Sequence, residues 1–256
     1  MNAKLKEAAS TVMSEATPSY PQQGTRIVSA SKRNLLPNGR LIKDGVLLFV
    51  HAHPDDETSS TGATMAAYAR EGAKVHLLTL TRGEMGEVIP EDLKHLQVGD
   101  PECTDNGEAL GEYRTGELVA ASRTLGVASR FYLGQAPATA TGTRKIYRDS
   151  GMVWGEDGKP APNPKASSDS LTAEPIEPQA QAIANAIRSI KPDALITYDA
   201  DGGYGHPDHV RTHRAVMQAL SLLKSSQKPV LVWGIEGEFD ETDKRTQAAI
   251  YGSTTA

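Results

Sequence analysis

Residues 46–57 read VLLFVHAHPDDE, and this stretch determines what kind of fold the rest of the chain can build. Its first five residues form a continuous apolar run, which is typical of a β-strand buried on both faces of a sheet. Histidines and acids follow at once, so the chain becomes polar where the strand ends. Strands of this kind belong to parallel sheets that are covered by helices on both faces.

Outward from this strand, strand-like and helix-like segments alternate. Further strands are predicted at 74–80, 130–133, 194–198 and 230–233, and helices at 61–71, 106–126, 178–190 and 208–223. The alternation predicts an α/β fold with a Rossmann-like, mostly parallel sheet and helices on both faces. Ligands bind such sheets at the C-terminal edge of the strands, so the active site is expected there. Residues 135–175 are rich in Pro, Gly and Ser and predict a long surface loop.

The composition narrows the range of functions. The 256 residues are 38% hydrophobic and carry a formal charge of −5, with no basic stripe, so neither nucleic acid nor an anionic membrane is expected as a partner. No apolar run approaches the length of a membrane span, and the first residues lack the pattern of a secretory signal. Cys103 is the single cysteine, which is typical of a cytoplasmic protein. The sequence leaves the oligomeric state open.

Polar clusters follow three of the predicted strands: HAHPDDE at 51–57, TRGE at 81–84 and DADGGYGHPDH at 199–209. Because the C-terminal ends of parallel strands lie at one edge of a sheet, we expect the three clusters to converge. One aspartate pair before a helix is commonly only a helix N-cap. Two His-Pro-Asp segments at two strand ends are much harder to explain by structure alone.

A metal site accounts for these clusters. His53 and Asp56 are three residues apart across a proline-containing turn, so both side chains can face one point. Catalytic zinc sites use imidazole, thiolate and carboxylate ligands, with three protein ligands and one open position. Cys103 stands alone, so the third ligand is expected to be His206 or His209. Two histidines and one carboxylate suit zinc or ferrous iron.

The other polar residues of the clusters predict catalytic roles. Asp55, beside the metal, can act as the general base that takes a proton from water. The unused histidine, His206, can stabilise an oxyanion or protonate the leaving group, and Asp208 can orient it and keep it charged. Paired aspartates after a first strand also mark magnesium-dependent phosphoryl receivers, but magnesium rarely takes histidine ligands, which argues against that class.

The motifs AHPDDE at 52–57 and HPDH at 206–209 resemble those of the LmbE-like (PIG-L-type) zinc N-deacetylases. The similarity extends over about residues 45–220. It includes GEYRTGEL at 111–118 and YRDSGM at 147–152, which favour the deacetylase branch of the mycothiol pathway over the mycothiol S-conjugate amidases.

The resemblance implies a zinc-dependent hydrolase that removes the acetyl group from N-acetylglucosaminyl-inositol in mycothiol biosynthesis, so the expected partner is a small N-acetylated amino sugar. The alternatives are a mycothiol S-conjugate amidase, another sugar N-deacetylase of the same family, or a zinc-binding module without catalysis. Residues 1–40 are expected to form a mobile tail. Residues 41–256 are expected to form a single LmbE-like catalytic domain that is short at its C-terminus for this family.

The resemblance also implies a role for each residue of the site. Zinc would be bound by His53, Asp56 and His209. Asp55 would be the general base, and His206 the acid or oxyanion stabiliser with Asp208 behind it. Tyr204 would polarise the amide carbonyl, and Arg114 and Asp149 would hold the substrate hydroxyls.

Overall fold

The structure of the chain is a computed structural model that describes residues 34–37, 39–156 and 158–233, with the backbone alone for 231–233. The predicted tail lies outside the described residues up to residue 33, and so does the chain after residue 233. Among the described helices, none is long and apolar enough to cross a bilayer.

The described part of the chain contains seven strands, numbered along the sequence: β1 (Val46–His51), β2 (Lys74–Thr79), β3 (Ser129–Tyr132), β4 (Met152–Trp154), β5 (Pro160–Pro162), β6 (Ala194–Thr197) and β7 (Val230–Trp233). Five of them form the central sheet in the order β3-β2-β1-β6-β7, and every pairing in that sheet is parallel. The chain runs outward from β1 through β2 to β3 and then returns to the other side through β6. Open α/β sheets bind ligands at such a reversal, beyond the C-terminal strand ends.

Four long helices lie within the described residues and are numbered in the same way: α1 (Asp56–Arg70), α2 (Glu108–Thr124), α3 (Ile176–Ile190) and α4 (Pro207–Ser221). All four were predicted, but α1 begins five residues earlier than expected. Its first turn is polar and shows no apolar periodicity, although acids are favourable at a helix N-terminus. Shorter helical turns lie at Ile42–Asp44, Glu91–Leu96, Gly202–Gly205 and Ser225–Gln227.

Strand β1 buries its side chains on both faces of the sheet, as predicted. Leu48 and Val50 join one core cluster and Leu47 and Phe49 the other, and all four are fully buried. Helices α3 and α4 contribute to the first cluster, and α1 and α2 to the second. Burying an apolar side chain of this size contributes roughly 1.5–3 kcal/mol, so the apolar run of β1 stabilises both layers at once.

The segment 135–175 differs from its prediction as a loop, because it contains the antiparallel hairpin β4–β5. Met152 pairs with Pro162, and Trp154 pairs with Pro160. Two of the three β5 residues are proline, a residue confined to strand edges because it lacks an N–H donor. Strands of three residues with this composition produce no alternating pattern that sequence reasoning can detect.

Candidate metal and active site

The polar clusters after β1 and β6 meet at the C-terminal edge of the sheet and line a cavity of about 540 Å³, to which residues 85–87, directly after the β2 cluster, also contribute. Eight of the nine site residues singled out in the sequence line this cavity. The ninth, Asp208, is fully buried. The convergence expected from a parallel sheet is therefore present in the structure.

Asp56 lies between two imidazoles. Its Oδ2 is 3.3 Å from Nδ1 of His53, and its Oδ1 is 3.3 Å from Nε2 of His209. Ligand atoms bound tetrahedrally to one zinc ion at about 2.05 Å would lie about 3.3 Å apart. The side chains of all three residues are largely buried. Their chemistry fits a divalent metal, and Asp56 stands at this spacing from each histidine. The described groups of three possible ligand atoms that lie within 4.8 Å of one another are His53–His206–His209 and His53–Asp149–Asp208.

The hydrogen bonds of His209 and His206 distinguish the two candidates for the third ligand. Nδ1 of His209 contacts the carbonyl oxygen of Gly202 at 3.0 Å, which leaves Nε2 to face Asp56. A metal-binding histidine typically bonds a carbonyl or carboxylate through its other ring nitrogen. Nδ1 of His206 instead accepts the backbone N–H of Asp208 at 3.2 Å. One ring nitrogen of His206 lies within 4.8 Å of one each of His53 and His209. Unlike His209, however, His206 does not bond a carbonyl or carboxylate through Nδ1.

Tyr198, which the sequence analysis did not single out, holds Asp56 in place. Its hydroxyl donates to Oδ2 of Asp56 at 2.7 Å and accepts the backbone N–H of Ala52 at 2.8 Å. Its ring stacks on that of His209, with centroids 4.2 Å apart and an angle of 11°. Its position directly after β6 could have identified it in the sequence, because the residues of the site follow the C-terminal ends of the strands.

A group of buried carboxylates surrounds His53. Its Nε2 lies 3.2 Å from Oδ2 of Asp208 and 3.6 Å from Oδ1 of Asp149. Burial alone would lower the pKa of His53, yet Asp149, Asp208 and Asp56 raise it well above its ordinary value. Burial would likewise raise the pKa of Asp56, but His209 and His53 hold it well below its usual range.

This cluster concentrates negative charge where water is excluded. Oδ1 of Asp208 is buried and, among the described residues, has no hydrogen-bond partner. Buried carboxylates are costly unless positive charge compensates them. A divalent cation would supply that charge, so the electrostatics fit a metal as well as the donor set does.

Asp55 occupies the N-cap position of α1 but makes no side-chain capping bond. Its backbone has a φ of 103°, a conformation that costs non-glycine residues roughly 1–3 kcal/mol. The side chain is 72% exposed, and its Oδ2 accepts a hydrogen bond from Nη2 of Arg114 at 2.8 Å. Capping therefore does not explain Asp55, and its carboxylate is available to the cavity.

His206 is a neutral hydrogen-bond donor in this environment. Burial and the imidazoles of His53 and His209 lower its pKa to about 3. Because Nδ1 accepts the N–H of Asp208, the single proton of the neutral ring must lie on Nε2. The sequence predicted that the Asp208 carboxylate orients His206 and keeps it charged, whereas Oδ2 of Asp208 contacts His53 and accepts the N–H of Ser150.

Tyr204 is 51% exposed at the cavity, on the turn Gly202–Gly205. Its ring centroid lies 6.0 Å from that of His206 and 5.3 Å from that of His209. Gly202 has a φ of +62°, and a Cβ there would lie 2.6 Å from the backbone nitrogen of Val210. The backbone at residue 202 therefore lies so close to α4 that only glycine fits there. This close packing of the turn against α4 places Tyr204 beside the histidines.

The predicted substrate-binding residues, Arg114 and Asp149, both line the cavity and also bond to protein groups. Arg114 donates to the carbonyl oxygens of Pro54 and Gly83, in addition to its contact with Asp55. Asp149 accepts the N–H of Gly151 at 2.7 Å and is almost fully buried.

The family model described as PIG-L: GlcNAc-PI de-N-acetylase matches residues 48–220 of this chain. A 1D-myo-inositol 2-acetamido-2-deoxy-alpha-D-glucopyranoside deacetylase of Kineococcus radiotolerans is 50% identical over 183 residues, which are 72% of this chain and 46% of the relative. A deacetylase of the same name from Streptomyces avermitilis is 46% identical over 181 residues, 71% of this chain and 54% of the relative. The chain spans about half the length of the curated relatives it matches.

Among solved structures, the chain is similar to an N,N'-diacetylchitobiose deacetylase from Pyrococcus horikoshii complexed with its inhibitor MPG. The two are 18% identical and superpose with a TM-score of 0.48, over 75% of this chain and 60% of the other.

Proposed function

Since the family model covers residues 48–220, the chain belongs to the PIG-L family of GlcNAc-PI de-N-acetylases, and on that premise we propose that it is a zinc-dependent amide hydrolase. Its proposed substrate is 1D-myo-inositol 2-acetamido-2-deoxy-α-D-glucopyranoside, after the names of its relatives. The proposal includes mycothiol biosynthesis as the pathway. The observation that carries it is the placement of Asp56 between His53 and His209, beside the exposed Asp55.

The residues that would hold zinc are His53, Asp56 and His209. When bound, zinc would polarise the acetamide carbonyl and make the attacking water more acidic. Tyr198 supports this site, because its hydroxyl fixes one oxygen of Asp56 and leaves the other to face His209.

The residues around the metal site would move the protons of the reaction. Asp55 would take a proton from the water that attacks the acetamide carbon. Nε2 of His206 would donate a hydrogen bond to the carbonyl oxygen as negative charge develops there, with Tyr204 beside it. Asp55, which then carries the proton taken from water, would protonate the amine as the C–N bond breaks, because the neutral ring of His206 has no acidic proton to give. The products are acetate and a free amino sugar.

Arg114 and Asp149 would hold the hydroxyls of the sugar and the inositol. Both line the cavity that contains Asp55. The guanidinium of Arg114 also contacts Asp55, so substrate binding and the position of the base are coupled in this proposal.

Acetate release tests this function. The purified zinc-loaded protein is incubated with the inositol-linked substrate, with and without a chelator, beside a mycothiol S-conjugate as competing amide. We expect acetate release that chelation abolishes and added zinc restores more fully than ferrous iron. Release that survives complete metal removal contradicts the proposal. Preferential cleavage of the S-conjugate would instead identify an amidase, and no cleavage by the zinc-loaded protein would indicate a binding module.

A further inference from the structure

Trp154 is one of the two tryptophans of the chain, and its side chain is 66% exposed at the cavity that contains the metal-binding residues. It stands at the end of β4, in the segment 135–175 that the sequence predicted as a loop. No step of the proposed reaction uses it. An exposed indole on a soluble protein is unremarkable when it stands alone, but this one faces a cavity lined mainly by polar side chains.

The geometry of β4 directs Trp154 toward this cavity. Residues two apart in a strand lie on the same face, and Met152 and Trp154 both line the cavity, whereas Val153 does not. The alternation of side chains along β4 therefore places the indole on the face of the strand that borders the cavity. Val153 on the opposite face is 38% exposed and provides a matched position on the same element.

The hairpin that carries Trp154 is attached to the site at its base. Gly151, which precedes β4, donates its N–H to Oδ1 of Asp149 at 2.7 Å. Pro160, the cross-strand partner of Trp154, lies close to Gly205, where a Cβ would be 3.8 Å from the Cγ of Pro160. The indole is thus presented by an element in contact with the turn that carries Tyr204.

The length of β4 separates Trp154 from Gly151 at the base of the hairpin. Strand residues advance about 3.3 Å each, so Trp154 lies about 10 Å along the strand from Gly151. That is more than the width of one sugar ring. Gly151 bonds to Asp149, which lies 3.6 Å from His53, so on this spacing a second ring is the part of the substrate assigned to the indole.

We propose that Trp154 is the aromatic platform of a second ring subsite, on which the cyclic polyol attached to the amino sugar stacks through its C–H face. The inference rests on the proposed function and deepens it. A cyclic polyol has apolar C–H faces and a polar edge of hydroxyls, which suits an indole face in a cavity lined mainly by polar side chains. The platform binds a part of the substrate that does not react, so it lowers KM and leaves kcat nearly unchanged.

Steady-state kinetics of Trp154→Ala and Trp154→Phe test the platform with two substrates, N-acetylglucosaminyl-inositol and N-acetylglucosamine. We expect Trp154→Ala to raise KM for the two-ring substrate about tenfold, as expected for the loss of one apolar contact, with kcat within about twofold. KM for the single-ring substrate should stay unchanged. Trp154→Phe should retain most of the affinity, and Val153→Ala should behave as wild type. An equal rise in KM for both substrates, or a fall in kcat alone, overturns the subsite.

A binding measurement separates this inference from the proposed function. The deacetylated product, glucosaminyl-inositol, is titrated while tryptophan fluorescence is recorded in the wild type and in Trp154→Phe, which keeps Trp233. We expect a saturable change in the wild type that Trp154→Phe loses. If the wild type cleaves neither substrate but shows this change, the proposed function fails and the subsite stands. A titration without a change in the wild type, or the same change in both proteins, overturns the subsite.

Discussion

Asp55 and Asp56 are neighbours in the sequence, but their carboxylates have different surroundings. Asp56 is held by the backbone N–H of His53 and the hydroxyl of Tyr198, while the Asp55 side chain is 72% exposed. Both residues line the cavity, but the positive φ of Asp55 turns the chain between them, so the Asp56 side chain is largely buried and the Asp55 side chain is exposed. A buried, bonded carboxylate suits a metal ligand, and an exposed one suits a base that exchanges protons with solvent.

Tyr198 offers a test of the metal site at the scale of one atom. Tyr198→Phe removes the hydroxyl that donates to Asp56 but keeps the ring that stacks on His209. Outer partners of this kind typically contribute 10- to 100-fold to metal affinity, and we expect a loss in that range. Competition with a chromogenic chelator measures it.

The control for this variant is Tyr132→Phe, because Tyr132 is also buried and its hydroxyl bonds to Thr115. Its zinc affinity should equal that of the wild type. A Tyr198→Phe protein with wild-type zinc affinity, or an equal loss in both variants, would show that the Tyr198 hydroxyl does not support the metal site.

The candidate site residues were predictable from the sequence, whereas the hydrogen bonds that they make were not. The spacing of His53 and Asp56 predicted that both could face one point, but the residues alone left His206 and His209 as equal candidates. The two differ in what their Nδ1 atoms contact, which depends on the turn before α4. Tyr198 was missed because its role depends on an oxygen of Asp56, 142 positions away.

At the scale of elements, two glycines allow the cost of backbone strain in a turn to be compared with the gain in helix propensity. A Cβ on Gly202 would lie 2.6 Å from the nitrogen of Val210 and 2.7 Å from the Cβ of His209, at a φ of +62°. We expect Gly202→Ala to lower the free energy of unfolding by about 1–3 kcal/mol and to reduce zinc affinity, because the strain falls on His209. Chemical denaturation and zinc titration measure the two effects.

Gly116 is the matched position, because it lies within α2 and a Cβ there meets nothing within 4 Å. Gly116→Ala should raise the free energy of unfolding by about 0.5–1 kcal/mol through helix propensity, with zinc binding unchanged. If both variants destabilise the protein equally, the turn before α4 is not the strained element described.

Helices and strands were predictable where their buried faces give the sequence a regular pattern of apolar residues. The apolar run of β1 and the amphipathic helices α3 and α4 were located within a few residues, and so was α2. The first turn of α1 was missed because its polar residues follow no apolar period, and they belong to the site. The hairpin β4–β5 was missed because each strand has three residues and two of the three in β5 are proline.

For the whole molecule, β1 matters twice: its side chains are buried in the core clusters on both faces of the sheet, and the residues of the site directly follow it. Phe49 is fully buried in the cluster that α1 and α2 share with the sheet. We expect Phe49→Ala to lower the free energy of unfolding by about 3–5 kcal/mol, the usual cost of such a truncation. Ile89→Ala, at a residue that is 80% exposed, should change it by less than about 0.5 kcal/mol.

Denaturant titration followed by circular dichroism measures both variants. A Phe49→Ala cost near that of Ile89→Ala would mean that the core does not depend on β1 in the way its burial indicates.

The most direct test of the account measures zinc content and acetate release together in the wild type, Asp55→Asn and His209→Ala. Asparagine is one of the residues that tolerate a positive φ, so Asp55→Asn removes the base with little change in shape. We predict that Asp55→Asn keeps one zinc per chain while acetate release falls by about 10²- to 10⁴-fold, and that His209→Ala loses both. Equal zinc loss in the two variants, or wild-type acetate release from Asp55→Asn, would contradict the division of roles between these residues.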